Sequence, residues 1–541
     1  MKKIVLLLLG SVLLSACAEK VQADLLITNA NIYTVDDANS VAKAMAIKDG
    51  MIISIGTDVT ILDLYEAPEI LDMEGKFIYP GFNDAHAHFV GYATGLRKVN
   101  LVGTKSFDEV LNRVQEFAQN NPLPFIEGRG WDQNDWPTKA FPNKEKLDEL
   151  FPETPVMLKR IDGHAALANS AALKYAGIDA NTSVEGGLVE LANGAPSGIL
   201  IDKAVGLVVF PELPRDQKIE ALRDAENNLL EVGVTSLTDA GLLKKDILLL
   251  DSLQEAGDLK IRINAMVADD SASLNYFLEE GAIEKPRLRV KSGKFYLDGA
   301  LGSRGALLLE PYSDDTSNYG LQLMRKSYFE KWAKRLADED WQMCVHAIGD
   351  SANRLAIDVM LAAVDSGLSH RWRIEHAQIV HPEDVPQMAL ANILPSVQPT
   401  HATSDMYWAA NRLGDRISYA YPYKDLLEAC GVLPLGTDFP VEDIDPLKTF
   451  RAVVFRQDAQ AFPDSSFLPS QKLTPDEALR GMTFFGAFAS FEEDFKGQLI
   501  PNRVADFVVF EKDIMHASVE DLSEMQALQT WLDGEVVFEK D

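Results

Sequence analysis

Between residues 81 and 440 the chain alternates short apolar runs with longer amphipathic segments, and this alternation limits its fold more than any other feature. Short apolar runs predict buried strands, and apolar residues at helical spacing predict helices. Strands that alternate with helices pair in parallel, in a closed (β/α)₈ barrel or in an open doubly wound sheet. The strand candidates are 155–158, 234–238, 295–297, 343–345, 372–374 and 432–435, and the main helix candidates are 216–232, 326–338 and 352–366.

The barrel is the better of these two α/β predictions. No Gly-x-Gly-x-x-Gly motif follows a strand candidate, which removes the main support for a dinucleotide-binding open sheet. With 541 residues, the chain has room for one barrel and a smaller second domain. We therefore expect an α/β protein built on a TIM-like barrel.

Both ends of the chain are rich in strand-forming residues. Residues 25–35 contain many β-branched side chains, and Asp49-Gly50 separates two apolar runs as a hairpin turn would. Residues 505–510 and 533–538 have the same character, so both ends are expected to join one small sheet domain. The predicted division is a signal segment at 1–17, the two parts of this sheet domain at 18–80 and 496–541, the barrel at 81–440, and final barrel helices with a connection at 441–495.

The charge of the chain argues against nucleic acid as a partner. The net charge is −31, and no cluster of Lys and Arg offsets it, so phosphate backbones would be repelled. Hydrophobic residues make up 47% of the chain, enough for a substantial core. A small-molecule substrate is expected, although charge does not identify it, and the sequence leaves the oligomeric state open.

The first 17 residues resemble a bacterial lipoprotein signal. Lys2 and Lys3 form a positive head, and residues 4–14 are apolar but too few to span a bilayer. The segment Leu14-Ser15-Ala16-Cys17 is typical of cleavage before a cysteine that is then acylated. We expect export to the bacterial cell envelope, with a lipid on Cys17 anchoring the protein to a membrane, in the outer membrane or facing the periplasm. An ordinary signal peptide cleaved nearby is the alternative.

Residues that bind metals stand at or just after several strand candidates. His86 and His88 form a His-x-His pair, which directs two imidazoles to one side because side chains alternate along a strand. The other such residues are His346, His376 and Asp438. Strands of a barrel end at one common face, and imidazole and carboxylate groups are zinc ligands. The sequence therefore predicts a metal centre at that face.

Longer motifs around these residues resemble the amidohydrolase superfamily and, within it, the amidohydrolase 3 group. The resemblance runs from about Asp24 to the C-terminus. It implies a (β/α)₈ barrel and a β-sandwich built from both chain ends, in agreement with the strand patterns. The motifs are GFNDAHAH at 81–88, KFYLDGALGSR at 294–304, HAIGD at 346–350, RIEHAQ at 373–378 and GTDFP at 436–440.

The resemblance implies a division of the ligands between one or two divalent ions, with zinc as the expected metal. His86, His88 and Asp438 would hold one ion. His346 and His376 would hold a second ion.

Lys294 would bridge these two ions, on the same resemblance, if CO₂ carbamylates its amine. An unmodified lysine is a cation and cannot bridge two cations, whereas a carbamate is an anionic oxygen ligand. The alternative for Lys294 is an unmodified lysine in a salt bridge or at the surface.

The implied chemistry begins with water that metal coordination makes acidic enough to give hydroxide near neutral pH. This hydroxide would attack a carbonyl carbon. Asp438 would take the proton from the nucleophile and pass it to the leaving nitrogen. A metal, helped by His164 or another donor, would stabilise the oxyanion.

Three further residues are expected to touch the substrate. His401 follows a strand candidate and is predicted to face the pocket. Trp131 is predicted as an aromatic pocket wall, with the hydrophobic core as its alternative position. Arg304 is expected either to contact substrate or to order the loop around Lys294.

The leading functional prediction is hydrolysis of a non-peptide C–N bond in an amide, an N-formyl compound or a cyclic amide. A second hypothesis keeps the barrel and the metals but places an ester or lactone in the site, because both reactions begin with attack on a carbonyl. A third is a catalytically silent binding lipoprotein. That hypothesis predicts the loss of at least one ligand, and all six are present.

Overall fold

A computed structural model describes residues 20–160, 163, 165–184, 187–364 and 370–540. Seven parallel strands follow one another around a barrel in chain order. The apolar runs predicted between 234 and 374 all lie on these strands. The strands are Phe82–Ala87, Val234–Leu242, Arg262–Ala268, Leu288–Tyr296, Gln342–Ala347, Arg373–His376 and Leu394–Ser396.

Extended backbone at 434–436 occupies the eighth position and closes the ring. Gly436 N donates to Val397 O at 3.0 Å on one side, and Ala85 N donates to Leu435 O at 3.1 Å on the other. The segment is too short to count as a strand, but it completes the (β/α)₈ arrangement. The predicted barrel is therefore confirmed, with the last apolar run in its eighth position.

Helices surround the barrel and bury their apolar sides against it. Residues Arg215–Glu231 form a helix whose buried side contains Ala221, Leu222, Ala225 and Leu229, at the spacing that predicts an amphipathic helix. The other helices of this layer and of the loops above it are Phe89–Gly95, Lys244–Glu255, Ser271–Glu280, Lys326–Asp338, Asp350–Ala363, Val385–Leu390, Pro399–Asp405, Ala409–Leu413, Tyr423–Cys430, Pro446–Phe455, Pro475–Gly481, Phe484–Ala489 and Val519–Glu524.

A separate six-stranded sheet is inserted between the first and second barrel strands. The run 155–158 was expected to be a barrel strand, but it lies in this sheet instead, because a short apolar run does not show which sheet it joins. The sheet has its own hydrophobic cores, which include Trp131 and Trp136. In spatial order its strands are Val99–Asn100, Ile126–Trp131, Val156–Arg160, Ala165–Ala168, Ala195–Asp202 and Gly187–Ala192, and its helices are Phe107–Asn120, Glu145–Leu150 and Ser170–Tyr175.

Both chain ends meet in a second domain of two sheets around a shared apolar core, as predicted. Phe507–Phe510 pairs with Phe77–Pro80, which joins the C-terminal strands to the N-terminal ones. The predicted hairpin is present, since Asp49 and Gly50 have φ values of 49° and 73° and connect two antiparallel strands. One sheet contains Met51–Gly56, Ala44–Lys48, Leu25–Thr28 and Glu69–Asp72, and the other Glu535–Glu539, Gln529–Leu532, Phe507–Phe510, Phe77–Pro80, Asn31–Tyr33 and Val41–Ala42.

The N-terminal segment of this domain adds a short strand pair, Val21–Gln22 with Tyr65–Glu66, and the helix Asp58–Leu64. The predicted signal segment and Cys17 lie outside the described residues. Among the helices that the structure does describe, none has the length and apolar character needed to cross a membrane.

Candidate metal centre

All six side chains predicted as metal ligands come together at the carboxyl ends of the barrel strands. His86 lies within the first strand, and His88 follows it directly. Because parallel strands of a barrel end at one face, residues far apart in sequence meet there. With His401, the six line a cavity of about 410 Å³. The remaining four are Lys294, His346, His376 and Asp438.

The carboxylate of Asp438 lies at the centre of this group. Its Oδ1 atom is 3.2 Å from His88 Nε2 and 3.5 Å from His86 Nε2, and its Oδ2 atom is 3.4 Å from His401 Nε2. Burial raises the pKa of Asp438, but contacts with His401 and His88 outweigh burial and hold that pKa well below its usual range. Asp438 is therefore an anion surrounded by imidazoles.

The arrangement fits a divalent metal ion. Several buried atoms facing the cavity accept or donate no hydrogen bond to any described residue, namely His346 Nε2, His376 Nδ1, His401 Nε2 and Asp438 Oδ1. Such atoms are costly unless something else pairs with them. Candidate ligand atoms lie within 4.8 Å of one another in two groups that share Asp438: His86 with His88, and His376 with His401. His401, predicted as a substrate contact, thus also stands in ligand position.

Burial keeps the histidines of the site in the form that binds metals. Desolvation lowers the pKa of His86 to about 4, and the nearby charge of Lys294 lowers it further. The same two causes, in the same order, lower the pKa of His346 to about 3. Its ring centre is 4.5 Å from that of His376, whose pKa is also lowered, mainly by burial. Neutral imidazoles at neutral pH are ready metal ligands.

Lys294 is fully buried at the base of the cavity. Its Nζ atom is 3.3 Å from His86 Nε2, and no described carboxylate forms an ion pair with it. Burial lowers the pKa of Lys294 to about 8 despite the opposing charges of Glu375 and Asp438. The uncharged form of this amine is therefore far more accessible near neutral pH than that of an exposed lysine.

Glu375 supports His86 from behind, a role that sequence reasoning missed. Its Oε2 atom is 2.6 Å from His86 Nδ1, and both side chains are fully buried. If Nδ1–H donates to this carboxylate, Nε2 is left with its lone pair toward the cavity. Arg373 Nε lies 2.7 Å from Glu375 Oε1 and neutralises its charge. Burial raises the pKa of Glu375, but Arg373 and His86 more than offset burial, and the pKa lies below its usual range.

A second buried carboxylate, Asp84, joins the first strand to the turn that carries Asp438. Its Oδ1 atom accepts from His86 N at 3.0 Å and Thr437 N at 3.1 Å, and its Oδ2 atom accepts from Thr437 Oγ1 at 2.7 Å. Gly436 permits this close approach, because a Cβ there would lie 2.5 Å from His86 N. The motifs containing Glu375 and Asp84 were visible in the sequence, but nothing in them distinguishes a supporting carboxylate from a ligand.

Two of the ligand residues have unusual backbone conformations. His376 has φ of 76° and Asp438 has φ of 63°, in the left-handed region that costs a non-glycine residue of the order of 1–3 kcal/mol. Hydrogen bonds around the site hold the second of these, since Asp438 N donates to His86 O at 2.7 Å. Such strain is typical of functional sites.

The remaining predicted residues have different positions. His164 lies outside the described residues. Trp131 is 1% exposed in the core of the inserted sheet, where its Nε1 donates to Leu158 O, and it does not line this cavity. Arg304 also lies outside the lining and pairs with Asp314 at 2.9 Å.

Comparisons with known proteins agree with this architecture. The sequence model of the Amidohydrolase family matches residues 69–538. The protein LONG AFTER FAR-RED 3 of Arabidopsis thaliana is 32% identical, over 95% of this chain and 92% of its own. The N-substituted formamide deformylase of Arthrobacter pascens is 27% identical, over 96% and 98%.

A solved structure shares the fold over nearly its whole length. It is an uncharacterized metal-dependent hydrolase from Pyrococcus horikoshii, with a TM-score of 0.79 and 27% identity, and the match covers 92% of this chain and 99% of that one. The family match extends over most of the chain and includes the barrel, the C-terminal strands of the sandwich and every predicted ligand position. This chain therefore belongs to the amidohydrolase family and is a metal-dependent hydrolase that acts on carbon–nitrogen bonds.

Proposed function

We propose that the protein hydrolyses a non-peptide C–N bond in an amide, an N-formyl compound or a cyclic amide. The observation that carries this proposal is the position of Asp438, an anionic carboxylate held among three imidazoles on the wall of a cavity large enough for a small molecule. The similarity to a formamide deformylase supports N-formyl amines as the first substrates to test.

The metal would be held by His86, His88 and Asp438 on one side and by His346 and His376 on the other, with zinc favoured by the imidazole-rich ligand set. When bound, such an ion supplies a Lewis acid and lowers the pKa of water. His401 could also contribute a ligand, because its candidate ligand atom lies within 4.8 Å of those of His376 and Asp438.

Asp438 performs the proton transfers in this proposal. Its carboxylate accepts the proton of the attacking water and delivers that proton to the leaving nitrogen, which must be protonated to depart as an amine. His401 Nε2, 3.4 Å from Asp438 Oδ2, keeps the carboxylate oriented. An ester would need the same first step, so the leaving group distinguishes the two reactions.

Lys294 serves as a ligand in its carbamylated form. The uncharged Nζ attacks the carbon of CO₂, a C–N bond forms, and one proton leaves the nitrogen to give an anionic carbamate. Burial favours the uncharged amine needed for this step, and the absence of an ion pair to any described carboxylate leaves Nζ free to react.

For the location of the protein we propose the bacterial envelope, with a lipid on Cys17. The support is the sequence around Cys17 alone. Mass spectrometry of the mature N-terminus tests this proposal: an acylated cysteine at position 17 is expected, and an unmodified terminus elsewhere would contradict it. Cys17→Ser should release the protein from the membrane fraction.

The activity is tested with matched substrates. Zinc-loaded protein is given N-benzylformamide, its ester counterpart benzyl formate, and a cyclic amide. Release of benzylamine is expected, and His88→Ala should abolish it while leaving the melting temperature close to that of the wild type. Cleavage of the ester with no cleavage of any amide would contradict the proposal.

A further inference from the structure

Above the ligand residues, the lining of the cavity contains two unlike groups of side chains. One group is the carboxylates of Asp405 and Glu442, and the other, which we call the apolar wall, is formed largely by apolar and aromatic residues. The apolar wall consists of Tyr296, Ala300, Leu301, Gly302, Ile348 and Trp408. This division has no role in the hydrolytic step itself, so it bears on which substrates enter.

Each wall carboxylate keeps one oxygen unused. Asp405 Oδ2 accepts from Gln378 Nε2 at 3.0 Å and from Tyr421 OH at 2.9 Å, and Glu442 Oε1 accepts from Ser404 Oγ at 2.6 Å. No described residue donates to Asp405 Oδ1 or to Glu442 Oε2. These hydrogen bonds fix both groups in place and leave an acceptor on each for a ligand.

Beside Asp405 and Glu442 no described lysine or arginine offsets the two negative charges, although the imidazole of His401 interacts electrostatically with both. Lys294 is the one described lysine or arginine in the lining of the cavity, and it lies at the base among the metal ligands. The arginines nearest in the chain to the apolar wall are engaged elsewhere: Arg304 and Arg412 both pair with Asp314. An anionic group placed beside Asp405 and Glu442 would therefore meet repulsion and find no described lysine or arginine partner there.

The apolar wall adds a flat surface for an apolar body. Trp408 packs against Gly302 so closely that a Cβ on this glycine would lie 3.2 Å from its ring. Leu301 and Ile348 are almost fully buried beside it. The same cavity contains the predicted metal ligands His376 and Asp438, so a substrate that reaches them must lie along this lining.

We infer that the substrate of this enzyme is an amide that carries a cationic group, such as a primary ammonium or an amidinium, and that Asp405 and Glu442 bind this cation while the apolar wall holds the body of the molecule. This inference rests on the proposed function for the bond that is cleaved. It adds the charge of the substrate, and it predicts discrimination against carboxylates such as those of ordinary N-acyl amino acids.

The physical basis is a charge-assisted hydrogen bond in a partly desolvated site. A cation between two fixed carboxylates gains attraction that its neutral isostere lacks, and an anion in the same place loses by repulsion. Hydrogen bonds to charged groups correspond to roughly a tenfold to hundredfold preference. The preference should appear in kcat/KM and in the equilibrium affinity.

The test uses two series of compounds, because the cation can lie on either side of the scissile bond. The first comprises N-benzylformamides with a para aminomethyl, ethyl or carboxy substituent. The second comprises N-benzyl amides of 4-aminobutyrate, pentanoate and succinate. For zinc-loaded protein we expect the cationic member of at least one series to exceed its neutral isostere about tenfold or more in kcat/KM, and the anionic member to be the poorest.

The variant Asp405→Asn/Glu442→Gln should bring the ratio of kcat/KM for the cationic substrate to kcat/KM for its neutral isostere close to one. Each single variant should give a ratio between that value and the wild-type ratio. Asn and Gln keep the hydrogen bonds to Gln378, Tyr421 and Ser404 possible, so the change is mainly one of charge. The matched control is Glu383→Gln/Asp464→Asn, which removes two exposed carboxylates outside the cavity and should leave the ratio unchanged.

Two outcomes overturn the inference: no preference for the cation in either series, or a preference that persists in the double variant. If neutral amides are cleaved without charge preference, the proposed function stands and this inference fails. If no amide is cleaved, calorimetric measurement of the binding of the same compounds decides whether the cavity prefers a cation. Tighter binding of the cationic members that is lost in the double variant would support the inference although the proposed reaction fails.

Discussion

The base of the cavity and its walls are built in different ways. At the base, each predicted metal ligand sits on or just after a barrel strand, and His86 is supported by the buried groups Glu375 and Asp84. On the walls, Asp405 and Trp408 belong to the helix Pro399–Asp405 and the turn that follows it, although Gln378 and Tyr421, the partners of Asp405, are buried as well. Residues at the strand ends therefore determine the chemistry in this protein, and the loops above them determine which substrates enter the cavity.

The largest effect is expected from Asp438→Asn, which keeps the shape of the base but removes its anionic charge. Activity should fall by about 10²–10⁴-fold, because the variant loses a proton acceptor and an anionic metal ligand. The measurement is kcat/KM on N-benzylformamide together with bound zinc per chain. Retention of most of the activity would show that the residues at the base of the cavity do not perform the chemistry. The distinction between the base of the cavity and its walls would then fail.

Replacement of Lys294 by Met should lower activity and zinc content together, because the carbamate ligand can no longer form. Met is similar in length and suits a buried position. In the wild type, ¹³C-labelled bicarbonate should give a carbamate carbon signal that Lys294→Met lacks. A variant with full zinc content and activity would show that Lys294 is no ligand, and the base would then consist of histidines and Asp438 alone.

A smaller effect is expected from Glu375→Gln, which changes the residue that supports His86 from behind without changing the lining of the cavity. Loss of the carboxylate behind His86 should weaken zinc binding by about 10- to 100-fold, measured by competition with a chelator. Glu383→Gln is the matched control, since its side chain is 83% exposed and its one ion pair among the described residues is with His381. Zinc affinity unchanged from the wild type would mean that Glu375 matters for packing alone.

The smallest effect is expected from Arg304→Gln. Arg304 pairs with Asp314 outside the cavity lining, so substrate affinity and kcat should change little. Steady-state kinetics with cationic, neutral and anionic substrates provide the measurement. A large loss confined to anionic substrates would place Arg304 in the pocket after all and would redefine the walls.

The parts of the molecule that could be predicted from the sequence are those in which the local residue pattern also fixes where a residue lies in the fold. The six predicted ligands could be expected to lie together because each stands on or near the end of a strand within a distinctive motif, and the alternation of strands and helices predicted the barrel. The Asp49-Gly50 turn likewise requires positive φ at both residues, which these residue types tolerate.

The rest depends on contacts between distant segments. The run 155–158 reads as a buried strand in either sheet, so its place in the inserted sheet, and that of Trp131 beside it, could not be inferred. Asp405 and Glu442 are ordinary acidic residues in the sequence, and only the folded helices bring both to one cavity. Glu375 differs from a ligand by pointing at His86 rather than into the cavity, which no spacing rule reveals.

The central claim is that the residues at the base of the cavity, loaded with metal, cleave a carbon–nitrogen bond. The most direct measurement is the rate of benzylamine release from N-benzylformamide by metal-free protein titrated with zinc in the presence of bicarbonate. The account predicts no turnover before zinc and a rise that saturates at one or two ions per chain, with no such rise for Asp438→Asn. Equal turnover by the metal-free and zinc-loaded wild type would contradict it.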